Sequence, residues 1–210
     1  MPFLTEITFD EGRLLLWEID ESIETMLHLG ADFASDARFR EIRNDKRRRE
    51  WLASRILIRM AGCKNDQVQY SENGKPTISH SQYHSISISH SGKLAGVFLH
   101  LREHCGLDIE SVNRDFRKVE PKYLSSKESE LAADTANGWA LFWCIKEAVY
   151  KSAGIPGLSL SQQIRIERNE NNNFVAILVI GSPVCYTIFT LEHDDQLLVC
   201  CIPSLQSGNS

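Results

Sequence analysis

The sequence has little with which to hold zinc or to cross a membrane. Its six cysteines, Cys63, Cys105, Cys144, Cys185, Cys200 and Cys201, form no CxxC pair, and their spacing suits no zinc site. No apolar run is long enough to span a bilayer. The opening MPFLTEITFDEGR has neither a basic region nor an apolar one after it, so no signal peptide is expected there. No Gly-, Ser- or Pro-rich linker divides the chain, and no repeat recurs at the level of identity. Positive charge is also short: 23 Lys and Arg face 28 Asp and Glu, a net charge of −5, which argues against a general nucleic-acid binder. These absences predict a soluble cytoplasmic protein with reduced thiols and with no nucleic-acid or membrane partner.

What is present suits a globular enzyme. The 210 residues, 42% of them hydrophobic, allow one large domain or two small ones fused. Basic charge is concentrated: Arg38 to Arg59 holds nine Arg or Lys against three acids, Glu41, Asp45 and Glu50. Such a stretch marks either an anionic ligand or acidic partner, or a solvated helix face.

Local patterns predict mixed elements. Leu14–Ile19 reads as a buried strand, and residues 22–29 as a short helix capped by Ser22. Ser35 or Asp36 is expected to open one long helix to about Met60, ended by Gly62. Asn73-Gly74-Lys75-Pro76 is a turn. Ser85-Ile86-Ser87-Ile88-Ser89 alternates with period two, which predicts a strand with one wet face. It forms a hairpin with Leu94–Leu101, and Gly106–Glu110 is a third strand. Lys118–Ala136 is helical in part, and Trp139–Ala153 is a strong helix ended by Gly154. Strands follow at 164–167, 174–180, 186–192 and 197–202, with a tail frayed from Ser204. The fold class predicted is α+β.

Three constellations could carry chemistry. Asp108 and Glu110 lie two apart in a strand, so both carboxylates share a face with Leu107 and Ile109 opposite. Same-face acids repel unless a cation lies between them or one is protonated; the pair is either two solvated acids on a half-exposed strand or the ligands of a hard divalent ion that takes oxygen. On the 139–153 helix, Leu141, Ile145, Ala148, Val149 and Ser152 make a core face, while Trp143, Glu147, Tyr150 and Lys151 gather opposite. An acid, a lysine and two aromatics suit a site wall better than a solvated face. Ser89-His90-Ser91-Gly92 ends a strand in a turn whose groups can donate to phosphate. Ile78-Ser79-His80-Ser81 repeats the same letters, but His90 is preferred because Gly92 and an apolar strand follow it.

In order along the chain, these segments resemble a known signature. Gly106-Leu107-Asp108-Ile109-Glu110 followed by Trp143 to Lys151 (WCIKEAVYK) resembles the GxDxE … WxxKEAxxK pattern of the 4'-phosphopantetheinyl transferases. Gly74-Lys75-Pro76, Ser89-His90-Ser91, Leu124-Ser125 with Glu128, and the Lys46–Arg59 helix also match in order. The resemblance is to the larger, surfactin-type branch. It implies two α+β halves packed with pseudo-twofold symmetry, residues 1–104 on the nucleotide side and 105–210 on the metal and catalytic side. It implies coenzyme A in the cleft between them, as co-substrate, and an apo carrier protein as partner to a monomer. Asp108, Glu110 and Glu147 would then hold Mg2+. Lys151 would contact the phosphates, and Glu147 would help deprotonate the acceptor serine. Arg38, counted back along the helix, and His90 would bind the 3'-phosphate end, with Lys75 and Ser89 near. The basic residue the family often has before its GKP turn is missing, since Tyr70-Ser71-Glu72 stands there. For docking, the resemblance points to Arg38–Arg59 or to Arg114, Arg117 and Lys118. A degenerate module that binds carrier or coenzyme A without chemistry is the competing reading, but Asp108, Glu110, Glu147 and Lys151 are all present.

Overall fold

The computed structural model describes residues 3–102 and 104–204. Strands β1 (Phe3–Phe9) and β2 (Gly12–Glu18) open the chain, and helices α1 (Ile23–His28), α2 (Ala37–Glu41) and α3 (Asp45–Met60) follow. Next come β3 (Val68–Tyr70), β4 (Pro76–Ile78), β5 (Ser85–Ser91), β6 (Leu94–His100) and β7 (Gly106–Ser111). Helices α4 (Ser126–Ala133), α5 (Gly138–Ala153) and α6 (Leu160–Gln163) lead to β8 (Ile164–Arg168), β9 (Phe174–Leu178), β10 (Val184–His193) and β11 (Gln196–Pro203).

The strands form sheets in the orders β1-β2-β6-β5 and β7-β11-β10-β9-β8, with β3-β4 as a separate pair. The β4 strand lies beside β5. Each half therefore repeats one plan: a strand, preceded in the first half by β1, then helices that include one of sixteen residues, then two hairpins. By this plan β2 corresponds to β7, α3 to α5, β5 to β10 and β6 to β11. The fold is α+β in two similar halves. One apolar core lies around α3, with Leu52, Ile56 and Leu57 buried against Val97 and Leu99. A second lies around α5, with Phe142, Ile145 and Val149 against Ile164 and Val199. A third joins the sheets, where Leu14, Leu16 and Phe98 meet Leu107, Ile109 and Leu198. Each such side chain contributes about 1.5–3 kcal/mol on full burial.

Two local expectations are corrected. The single helix from Ser35 or Asp36 to Met60 is two helices. Asp36 caps α2, accepting from the Arg38 amide at 2.9 Å, and the chain turns extended at Ile42. Asn44 then caps α3, accepting from the Arg47 amide at 3.0 Å. A short side chain that can satisfy an orphaned amide favours a new helix start over continuation. The second correction concerns the serine row. Ser85, Ser87 and Ser89 face no water; all three are buried. The β7 strand is the edge of its sheet, and its outward amides need partners. The Leu107 amide donates to Ser87 Oγ at 2.9 Å and the Ile109 amide to Ser89 Oγ at 3.1 Å. Serine hydroxyls of one half thus take the place of a neighbouring strand for the other. The alternation marks the seam between halves.

The expected fraying of the tail falls on residues 205–210, which lie outside the described residues. Ser204 itself is tied down, its amide donating to the Cys185 carbonyl at 2.8 Å.

Candidate active site

The acids of β7 sit at this seam because of one close approach. A Cβ at Gly106 would lie 1.9 Å from the Ala148 carbonyl oxygen, so only glycine lets β7 lie against α5 at this distance. Period two then directs Leu107 and Ile109 into the core between sheets and Asp108 and Glu110 toward α5. The expected faces of α5 hold: Leu141, Ile145, Ala148, Val149 and Ser152 are buried, while Trp143, Glu147, Tyr150 and Lys151 are half-buried.

Lys151 is the centre of the seam. Its ammonium lies 2.7 Å from Asp108 Oδ1 and donates at 3.0 Å to both Ser89 Oγ and the Leu107 carbonyl. Ser89 in turn donates to Asp108 Oδ1 at 3.2 Å. With the Ile109 amide as a second donor to it, the hydroxyl has used its full capacity. The other oxygen of Asp108, Oδ2, is buried with no hydrogen-bond partner.

Glu110 accepts from Trp143 Nε1 at 3.1 Å and from Arg114 Nη1 at 2.7 Å. Burial pushes its carboxyl above the ordinary glutamate value, and Asp108 adds to this. Burial does the same to Glu147, again with Asp108 and with Glu110 adding repulsion. Burial is the larger cause for both, and repulsion between the neighbouring carboxylates adds to it. The donor set is all oxygen and hard, the chemistry that suits Mg2+. As arranged, no three His, Cys, Asp or Glu side chains among the described residues gather as metal ligands. Lys151 holds Asp108, and Arg114 holds Glu110, where a cation would compete. The orphaned Asp108 oxygen and the raised carboxyls fit a divalent ion once those two side chains turn aside.

Beside the acids opens a cleft of about 1250 Å³, in which Arg38, Arg43, Lys46, Arg47, Arg114 and His90 face Glu41, Glu50 and Glu110. The basic stretch is therefore divided between two uses. Arg48, Arg55 and Arg59 lie over Phe39, Trp51 and Phe33 at 4.5, 4.9 and 4.3 Å, and pack. Arg38, Arg43, Lys46 and Arg47 line the cleft, Arg38 lying 4.2 Å over the Tyr70 ring. The helix break puts Arg38 on α2, yet it still reaches the cleft.

Adjacent strand residues point apart, so His90 faces this cleft while Ser89 lies beneath it. His90 Nδ1 is 3.4 Å from Glu50 Oε2. Lys75 stands apart from both. It lines a second cavity of about 400 Å³ together with Tyr150 and Lys151, and its ammonium donates to the Ser152 carbonyl at 2.6 Å. Burial pushes its ammonium below the ordinary lysine value. His80, the alternative histidine, is occupied in its own turn, where Nδ1 accepts from the Gln82 and Tyr83 amides.

Three roles escaped the sequence reading. Lys146, inside the WxxKEA segment, faces away from the acids and is fully buried, 2.8 Å from Glu128 Oε1. Glu128 joins that pair to a capping box with Ser125; the S-x-x-E spacing carried that signal. Glu50 carried no signal, because its partner is distant in sequence. Arg114, one of the residues named for docking, also pairs with Glu110 and lies 5.4 Å over Trp143.

A model of the 4'-phosphopantetheinyl transferase superfamily matches residues 104–201. The 4'-phosphopantetheinyl transferases AcpT of Salmonella typhi and of Salmonella typhimurium are each 32% identical over 133 residues, which cover 60% of this chain and 69% of theirs. A holo-(acyl-carrier-protein) synthase from Bacillus anthracis in complex with CoA (3',5'-ADP) aligns at 16% identity and a TM-score of 0.41, over 48% of this chain and 94% of its own. The chain belongs to the 4'-phosphopantetheinyl transferase superfamily.

Proposed function

We propose that this enzyme transfers the 4'-phosphopantetheine arm of coenzyme A to a serine of an apo carrier protein, with Mg2+ as cofactor. The serine oxygen forms a bond to the phosphorus that carries pantetheine, the bond from that phosphorus to the leaving phosphate breaks, and 3',5'-ADP departs. The observation that carries this reading is the Asp108–Lys151–Ser89 node at the seam, with Glu110 and Glu147 beside it and a basic cleft opening from it. Phosphoryl transfer needs positioned oxygens, charge neutralisation and a cation near the leaving group.

In this reading Asp108, Glu110 and Glu147 hold the metal, which when bound neutralises charge on the phosphates. Lys151 leaves Asp108 for the phosphates and stabilises the departing oxygen. Glu147, whose carboxyl is held above its usual value, receives the serine proton directly or through water. Arg38 and His90 bind the 3'-phosphate end, with Lys75 anchoring the neighbouring GKP turn and Ser89 holding Lys151 in place. Residues 1–104 supply the nucleotide side and 105–210 the metal side. The protein works as a cytoplasmic monomer, its two halves serving as a built-in dimer.

The test is intact-protein mass spectrometry of an apo acyl carrier protein and a panel of apo peptidyl carriers, each incubated with this protein, coenzyme A and Mg2+. The expected result is a gain of one phosphopantetheine, abolished by chelator. No gain on any carrier, from folded protein that binds coenzyme A, would reject the transfer reaction.

A further inference from the structure

An acid stands in the cleft where cations predominate. Glu50 is buried, its side chain 8% exposed, yet it lines the same cavity as Arg38, Lys46 and Arg47. Its charge weakens the pull on any anion bound there. It is outside the carboxylate set of β7 and α5. Its oxygens have two cationic neighbours. Lys46 is 3.7 Å away with a side chain 62% exposed, so that pair is screened and weak. His90 is 3.4 Å away, and its Nδ1 is the atom that faces the carboxylate.

His90 is under opposed demands. To hold a phosphate its outward nitrogen must donate, and it does so best as imidazolium. Burial against the cleft wall pushes the imidazole below its ordinary value, Glu50 pulls it back up, and Lys151 and Lys46 push it down. The charged groups facing the ring are thus Glu50 and Lys46 from α3 and Lys151 from α5, with Arg38, Arg47, Glu110 and Arg114 lining the same cavity. Of these, Glu50 is the buried acid in contact with the ring.

We infer that Glu50 is a positioning residue: it engages His90 Nδ1, fixes the ring's orientation and protonation, and so presents the Nε2 proton to the 3'-phosphate of coenzyme A. This rests on the proposed function. A carboxylate behind one imidazole nitrogen sets what the other offers, as it does for metal-bound histidines. A basic residue in place of Glu50 would add charge to the cleft but would lower the occupancy of the imidazolium.

The experiment is calorimetric titration of coenzyme A and of 3'-dephospho-coenzyme A into the full chain and its variants, at acid, neutral and alkaline pH within the imidazole range. The wild type should prefer coenzyme A, and the preference should fall as pH rises. Glu50→Gln should lose about tenfold of that preference at neutral pH, the effect of about one unit in the imidazole pKa, and should regain it at acid pH. Glu50→Asp should keep most of it. In a His90→Ala background, Glu50→Gln should change nothing further. A wild-type preference with Glu50→Gln unchanged at every pH overturns the role of Glu50 and leaves the proposed function standing. Equal weakening toward both ligands, at all pH, overturns it in favour of a purely structural role. A wild type that binds neither ligand overturns both.

Discussion

Replacing Lys146 with Met separates stability from catalysis inside the most recognisable segment of the chain. The Lys146 ammonium is completely buried and makes three contacts: Glu128 Oε1 at 2.8 Å, the Leu160 carbonyl at 3.0 Å and the Ile164 carbonyl at 2.7 Å. Lys146→Met fills the volume but strands two carbonyls and a buried carboxylate. Removing one partner of a buried pair costs about 3–5 kcal/mol. Glu128 keeps donors in the Ser125 amide and hydroxyl, both at 2.8 Å, and in the Ile166 amide at 2.9 Å. That places the loss at the lower end of the range. For a chain of 210 residues each kcal/mol lowers Tm by about 2–4 °C, so the expected drop is roughly 6–12 °C. Denaturant unfolding followed by tryptophan fluorescence gives the free energy, and scanning calorimetry gives Tm. The double variant Lys146→Met, Glu128→Met should recover part of the loss, because a matched apolar pair avoids desolvation of both charges. It should stay about 1 kcal/mol below wild type, from the lost capping box at Ser125. Transfer rate per folded molecule should hold within a few-fold, since the ammonium points to α6 and β8, away from Asp108. Wild-type unfolding of Lys146→Met would refute the energetic argument. A hundredfold loss of kcat at full folding would refute the separation.

Three further outcomes test the site. Asp108→Asn should lower kcat by about 10²-fold or more, as removal of a charge-stabilising group does, with Tm near wild type because Lys151 keeps Ser89 and the Leu107 carbonyl; a kcat within a few-fold of wild type would remove Asp108 from the metal site. Gly106→Ala puts a Cβ 1.9 Å from the Ala148 carbonyl and should cost about 1–3 kcal/mol or more by overpacking, read by denaturant unfolding, while an unchanged midpoint would mean β7 slides freely on α5. The joint reversal Arg117→Glu, Lys118→Glu should raise KM for the carrier and leave KM for coenzyme A alone, apart from a small stability loss where Arg117 lies 4.0 Å over Trp139; an unchanged carrier KM rejects that patch.

How much of this was legible in the sequence depends on the range of each interaction. Period two placed Asp108 and Glu110 on one face, and period 3.6 set Lys151 with Trp143 and Glu147, because those relations are fixed by backbone geometry within one element. The same periodicity sets Lys146 five residues from Lys151, on the other side of the helix, and the structure gives the two lysines unrelated work. What failed was any inference about the far side of a face. Ser85, Ser87 and Ser89 alternate with isoleucine as a half-wet strand does, yet Ser87 and Ser89 meet backbone amides of β7 and Ser85 meets the Arg102 carbonyl. A hydroxyl satisfied by water and one satisfied by an edge strand have the same one-letter code and the same period. The break at Asn44 was hidden for another reason: the charged residues around it are good helix formers, so local propensity and the capping preference of Asn were close to balance. Glu50 was hidden most completely, because its partner His90 is brought to it only by the packing of α3 on the β5–β6 sheet. A residue whose chemistry depends on a tertiary neighbour is read only after the halves are assembled. In this chain the seam that assembles them is also where Lys151, Asp108 and Ser89 meet, so closing the fold and forming the site are one event.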